Sequence, residues 1–196
     1  MVSPPLLISG RKFDIGTYVV VTSGEPLRVY VLNEWLLRFC NKDYEPFDPT
    51  DMKSYVVGDD YTPIWEVDEI GPYYNNSIGM KHALFMWLHD NGFNSKTLET
   101  KMTQAIGEIW ESQQSKIKSV LKRYNNYPGQ FFEMLRMDWV LDNDANLFLL
   151  EVNMSPNLSS GHFAPNAQLY RYVLGNMWRL IGQPLPCRGY HFFYKL

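Results

Sequence analysis

Cysteine is scarce in this chain: Cys40 and Cys187 are the only two in 196 residues and lie far apart. That excludes a disulfide framework and fits a reducing compartment. A basic excess is missing as well, because 18 Lys and Arg against 21 Asp and Glu leave a formal net charge of −3. A nucleic-acid partner therefore has no electrostatic support. No stretch approaches a membrane span. The start, Met1-Val2-Ser3-Pro4-Pro5-Leu6-Leu7-Ile8, has neither the basic opening nor the long apolar run of a signal peptide. Internal repeats, low-complexity tracts and a clear linker are absent. So are the P-loop signature, the GxSxG nucleophile elbow, HExxH and paired CxxC motifs, which removes several large enzyme classes but not ATP binding by other means.

What is present is an ordinary folded composition, 45% hydrophobic and 20% charged, with aromatics high at 15%. That is enough for one sizeable core, or for one lobe of something larger. Phe13, Ile15, Thr17, Val19 and Val21 alternate with their neighbours, and after Thr22-Ser23-Gly24-Glu25-Pro26 a second strand-like run, Leu27 to Leu32, predicts a hairpin. Arg11 and Lys12 sit at its mouth with Asp14 one step inside, and Arg38 follows on a short apolar segment. Mixed charges entering a strand are ordinarily surface, and alone these residues read that way. Beside a metal-nucleotide site the same side chains would meet phosphate and ribose.

Residues 44–74 mix prolines, acids and aromatics without a period. Met80 to His89 predicts a helix stopped at Asn91-Gly92. The clearest helix is capped by Asn94 or Ser95 and carries Leu98, Met102, Ile106, Ile109, Trp110, Ile117, Val120 and Leu121 as a core-facing stripe. His82 and His89 lack a third ligand and read as ordinary histidines. Gln168 to Ile181 predicts a closing helix with Gly182 as its stop.

The stretch with chemistry is FFEMLRMDWVLDNDANLFLLEVNMSPNLSS, residues 131–160. Phe131 to Leu141 and Leu147 to Val152 predict two strands around the polar turn Asp142 to Asn146. If Leu141 pairs with Phe148, Asp138 stands opposite Glu151, and like charges there destabilise a hairpin unless something offsets them. Asn153, two residues on, shares the face of Glu151. Two carboxylates and an amide oxygen suit Mg²⁺, which leaves its other positions to water and nucleotide phosphates. The competing reading is a casual acidic pair on a solvated strand face; the apolar run between the acids argues against full exposure.

With these residues in view, the chain resembles the tubulin-tyrosine-ligase-like family. The likeness rests on Pro5 to Ile15 (PLLISGRKFDI), on His89-Asp90-Asn91-Gly92, and on Met137-Asp138-Trp139-Val140-Leu141-Asp142 followed by Leu150-Glu151-Val152-Asn153-Met154-Ser155-Pro156. The resemblance implies an α/β, ATP-grasp-like fold, mainly antiparallel sheet backed by helices, with the N-terminal lobe missing. It implies residues 1–182 as the C-terminal portion of the ligase domain and 183–196 as a tail. It further implies Mg²⁺ held by Asp138, Glu151 and Asn153, ATP contacted by Lys12 and Asp14, and an amino-acid substrate met by Arg38; no residue is implied as a covalent catalyst.

The implied activity is ATP-dependent ligation of an amino acid, with glutamate expected, to a glutamate side chain of tubulin through an acyl phosphate. The implied setting is cytoplasmic and cytoskeleton-associated, with tubulin or microtubules and free glutamate as partners and no nucleic acid or membrane. The chain departs from the family pattern at several points. Gly16 stands where the family's RKFDIR ends in arginine, Ser54-Tyr55-Val56-Val57 replaces an HLTN-like segment, and no lysine lies between Ser155 and Arg171. These departures keep open a second expectation, a non-catalytic relative that retains the fold and binds tubulin or another partner. A third, some other Mg²⁺ enzyme built on the acidic hairpin, fits the RKFD segment poorly. As a single lobe, the chain is expected to expose apolar surface.

Overall fold

The computed structural model describes residues 2–124, 131–182 and 193–195, the last three by backbone path alone. In chain order the elements are β1 (Leu7–Ile8), β2 (Arg11–Gly24), β3 (Leu27–Phe39), β4 (Thr62–Pro63), α1 (Gly71–Asn75), α2 (Met80–Asp90), α3 (Ser95–Leu121), β5 (Glu133–Leu141), β6 (Leu147–Met154), α4 (Asn166–Leu180) and β7 (Phe193–Lys195). Strand order is β4-β3-β2-β5-β6, with β1 pairing β2 and β7 pairing β3. The pairings of β1 with β2 and of β3 with β4 and β7 are antiparallel. The fold is thus mixed α/β with an antiparallel sheet and helices.

The chain divides into two compact units. One comprises the described residues within Met1–Gly16, Glu34–Glu99 and Met137–Glu151; the other comprises those within Thr17–Asn33, Thr100–Arg136 and Val152–Leu196.

In the first unit, Phe13 stacks on Phe39 with ring centroids 5.3 Å apart, and Ile8, Ile15, Trp35, Leu36, Ile64, Ala83, Leu84 and Trp139 are buried. Helix α2 begins after Gly79 without a side-chain cap from its own chain neighbours. Its cap comes from β3: the Lys81 amide donates to Glu34 Oε1 at 2.9 Å. A Cβ on Gly79 would lie 2.4 Å from Glu34 Oε2, so the carboxylate reaches the helix terminus because residue 79 has no side chain. The helix stops where expected, with Gly92 at φ +83°.

In the second unit, Tyr18, Val19, Val20, Val31, Leu32, Met102, Ile106 and Val173 form the core. Helix α3 approaches β2 so closely that a Cβ on Gly24 would lie 2.5 Å from Ile117 Cγ2 and 2.6 Å from Leu121 Cδ1. The predicted apolar stripe of α3 holds at Met102 and Ile106 here, and at Leu98 within the first unit, but Val120 is 47% exposed and is not core. The start of α3 lies in the first unit, where the Asn94 side chain accepts from the Thr97 amide at 3.1 Å, capping the helix as the sequence suggested. Gly182, at φ +85°, follows α4. Cys187, His191 and most of the expected tail lie outside the described residues.

Candidate functional site

Three adjacent strands of the first unit bring three of the nominated residues together. The Cys40 amide donates to Lys12 O at 2.9 Å, so Lys12 faces Cys40 and, two steps along each antiparallel strand, Asp14 faces Arg38. The Arg38 guanidinium forks onto Asp14, Nε to Oδ1 at 2.9 Å and an Nη2 bond to Oδ2 at 2.8 Å. The same Nη2 donates to Asp138 Oδ2 on β5 at 2.9 Å. One planar cation thus ties β3, β2 and β5 together.

None of these residues is surface, which corrects the reading of Lys12, Asp14 and Arg38 as solvated strand-mouth charges. Lys12 is 6% exposed, Asp14 4%, Arg38 9% and Asp138 1%. The strands are covered on this face by packing that sequence alternation alone does not reveal. Burial pushes the Asp14 carboxyl up to about 6; Arg38 and then Lys12 oppose that rise, and the Asp138 charge adds to it. Burial likewise pushes the nearby Cys40 thiol up to about 11, against the positive charge of Lys12. That thiol is an inert core group and not a nucleophile.

The turn between β5 and β6 is tighter than the five polar residues suggested. The Ala145 amide donates to Asp142 O at 2.9 Å, the Asp142 amide donates to Asn146 O at 3.0 Å, and Ala145 sits at φ +59°. This is a three-residue turn ending in a bulge, closed further by Asp142 Oδ1 accepting from the Asn146 amide at 2.7 Å. β5 and β6 are sheet neighbours, but counted outward from the Asp142–Asn146 pair Asp138 comes opposite Leu150, one step off the expected opposition of Asp138 and Glu151. The two acids have different surroundings: Asp138 is buried with Arg38, whereas Glu151 is exposed and Asn153 half-buried, two residues apart on β6. Among the described residues no three His, Cys, Asp or Glu side chains are grouped to hold a metal ion.

Gly16 ends the first unit's share of β2, and its face of the strand is that of Lys12 and Asp14. An arginine there would add a third cation to that row. Ser54, the counterpart of the HLTN-like segment, is buried, and its hydroxyl donates to Asp51 O at 2.9 Å.

The family model described as the tubulin-tyrosine ligase family matches residues 2–189. The chain belongs to that family. It is 46% identical over 187 residues to the probable tubulin polyglutamylase ttll-15 of Caenorhabditis elegans, covering 94% of this chain and 36% of that protein. It is 31% identical over 204 residues to the human tubulin monoglutamylase TTLL4, covering 93% of this chain and 16% of the relative. Mouse tubulin polyglutamylase TTLL5 is 28% identical over 197 residues. This tubulin-tyrosine ligase family chain thus spans only 36% and 16% of the first two relatives' lengths.

The sequence reading missed the ion-paired knot of Arg38, Asp14 and Asp138. Counting outward from a two-residue turn at Glu25-Pro26 sets Asp14 opposite Leu37, with Arg38 on the other face. The signal was the pairing of one acid on each of two strands with an arginine on a third, and its register is one residue out of step with the turn.

Proposed function

We propose that this chain carries part of the site of an ATP-dependent ligase of the ATP-grasp kind that adds glutamate to a glutamate side chain of tubulin. The observation that carries the reading is the buried row of Lys12, Asp14, Arg38 and Asp138. Four ionic groups are sequestered on adjacent strands, at the positions that the family resemblance assigns to nucleotide, substrate and metal. Buried charge of this density is costly unless it is paired or used.

The donor set fits Mg²⁺. Asp138, Glu151 and Asn153 offer only oxygen, the chemistry a hard cation takes, and nothing soft that would select zinc. In this reading those three residues hold the ion, which when bound supplies neutralisation of phosphate charge. Lys12 places a fixed positive charge for the nucleotide phosphates, and Asp14 accepts hydrogen bonds from the nucleotide or keeps Arg38 aligned. Arg38, whose Nε and Nη2 are already held by Asp14 and Asp138, would meet a carboxylate of the incoming amino acid by exchanging one of those bonds.

The reaction is phosphoryl transfer followed by amide formation. The acceptor carboxylate oxygen attacks the γ-phosphorus of ATP and ADP leaves; the amino nitrogen then attacks the acyl carbon and phosphate leaves. Such chemistry depends on positioning and charge neutralisation more than on a protein nucleophile. The relatives' names support tubulin as the target and a cytoskeletal setting, and no helix among the described residues is long and apolar enough to cross a membrane.

A second reading, a non-catalytic relative, is favoured by Gly16, which leaves the Lys12–Asp14 row without a further cation. The test is the thermal midpoint with and without Mg·ATP, for the wild type and for Asp138→Asn, each against its own baseline. Nucleotide at about a hundred times its dissociation constant stabilises the native state by roughly 2.7 kcal/mol. A Mg²⁺-dependent rise in the wild type that Asp138→Asn abolishes supports the ligase site. No rise in the folded wild type rejects it and leaves the binding relative.

A further inference from the structure

The end of α3 carries charge that the nucleotide-site reading does not use. From Ser112 to Phe132 the chain has Lys116, Lys118, Lys122 and Arg123 and no acid, inside a molecule of net charge −3. These residues belong to the second unit. Ile117 and Leu121 point to β2, where they meet Gly24. At about 100° per residue the opposite face of the helix is then fixed. Ser112, Ser115 and Ser119 run down its middle, with Lys118 and Lys122 along one side and Lys116 and Arg123 along the other.

All of these residues except the half-buried Lys118 are exposed. The Ser112 and Ser119 hydroxyls donate to Ile109 O and Lys116 O, each at 2.7 Å, and so lie folded against the helix. The result is a low floor of small side chains between two rows of cations. Lys118 is paired with Glu25 at 2.9 Å; among the described residues Lys116, Lys122 and Arg123 stand in no ion pair. Cations in a last helical turn complement the helix dipole. That effect fades within a turn, and so does not account for Lys116 or for a stretch free of acids.

We infer that this face of α3 is a docking surface for an extended, glutamate-rich polypeptide. The inference rests on the glutamylation reading above, which makes both the acceptor and its product polyanionic peptides. Charge complementarity selects the occupant: a floor of serines leaves room for a backbone, and cations on either side meet carboxylates that project alternately from an extended strand. A nucleic acid is the other polyanion. It is disfavoured because the rest of the chain is acidic and would repel a long phosphate backbone.

The experiment is fluorescence anisotropy of a labelled oligoglutamate peptide with the full chain, at low and at physiological salt. Three proteins are compared: the wild type, the double variant Lys116→Glu with Arg123→Glu, and Lys101→Glu, which reverses an exposed charge nearer the start of α3. Salt-sensitive binding by the wild type, weakened at least about tenfold by the double variant and little by Lys101→Glu, is the expected result. The inference is overturned by no binding to the wild type, by equal loss in both variants, or by a single-stranded oligonucleotide that binds the same face more tightly than the peptide. The Mg·ATP thermal shift, measured on the same proteins, separates the two readings. A shift without peptide binding rejects the docking face alone, and peptide binding mapped to α3 without a shift supports the docking face while rejecting the ligase site.

Discussion

Arg38 decides the local electrostatics of the first unit. Its guanidinium answers two carboxylates at once, and each is nearly inaccessible to water. Replacing it by an apolar residue of similar length removes the cation bonded to both acids and leaves two buried like charges. Arg38→Met is therefore expected to cost about 3–5 kcal/mol in urea unfolding, the range for breaking a buried ion pair. Arg38→Lys keeps the charge but cannot form the fork, and is expected to fall between the two. A cost below about 1 kcal/mol for Arg38→Met would show that water, not the guanidinium, stabilises Asp14 and Asp138. At this scale the sequence was legible in part. It marked Lys12, Asp14, Arg38 and Asp138 as chemically interesting, because a family resemblance and a strand count picked them out. It did not show their burial, since exposure is set by what packs over a strand face and not by the strand itself.

Among the elements, α2 is built with a borrowed cap. Glu34 on β3 accepts from the Lys81 amide, and burial holds its carboxyl above the ordinary glutamate range against the opposing bonds from the Lys81, Trp35 and Met80 amides and the Lys81 charge. A raised carboxylate favours the folded state most when protonated. The contribution is full below the unfolded value and declines as pH rises through the folded one. Glu34→Gln, which keeps an acceptor oxygen and never ionises, is thus expected to gain on the wild type between about pH 4 and pH 7. Urea midpoints at the two ends check this; a constant gap means that the carboxyl titrates alike in both states.

Gly79 gives a second test of the same contact. Gly79→Ala puts a methyl against the carboxylate and is expected to cost about 1–2 kcal/mol, less in a Glu34→Ala background. Equal costs in both backgrounds would uncouple the two residues. The helix itself was plain in the sequence, from Met80 to the Gly92 stop; its cap was not, because the capping residue lies far back on another strand. α3 shows the reverse. Its start at Asn94 and its buried stripe through Ile106 were legible, yet the same periodicity overreached at Val120, which turns off the face that Ile117 and Leu121 pack on β2.

For the molecule as a whole, the open question is how it manages β6. Phe148, Leu149 and Leu150 in the first unit and Val152 and Met154 in the second are all exposed, from 36% at Leu149 to 74% at Met154. β6 ends the strand order, and successive side chains point to opposite faces, so apolar groups are uncovered on both. The composition foretold a folded domain, and the expectation of exposed apolar surface is met at this strand, next to the proposed metal residues Glu151 and Asn153. An uncovered terminal strand of this kind invites edge-to-edge association. Phe148→Ser with Leu150→Ser changes two exposed side chains on one face. It is expected to leave stability within about 0.5 kcal/mol of the wild type while lowering light scattering and dye binding by the native protein. If the double variant instead unfolds the domain, these side chains are buried in solution by self-association, and the wild type's sedimentation will then depend on its concentration.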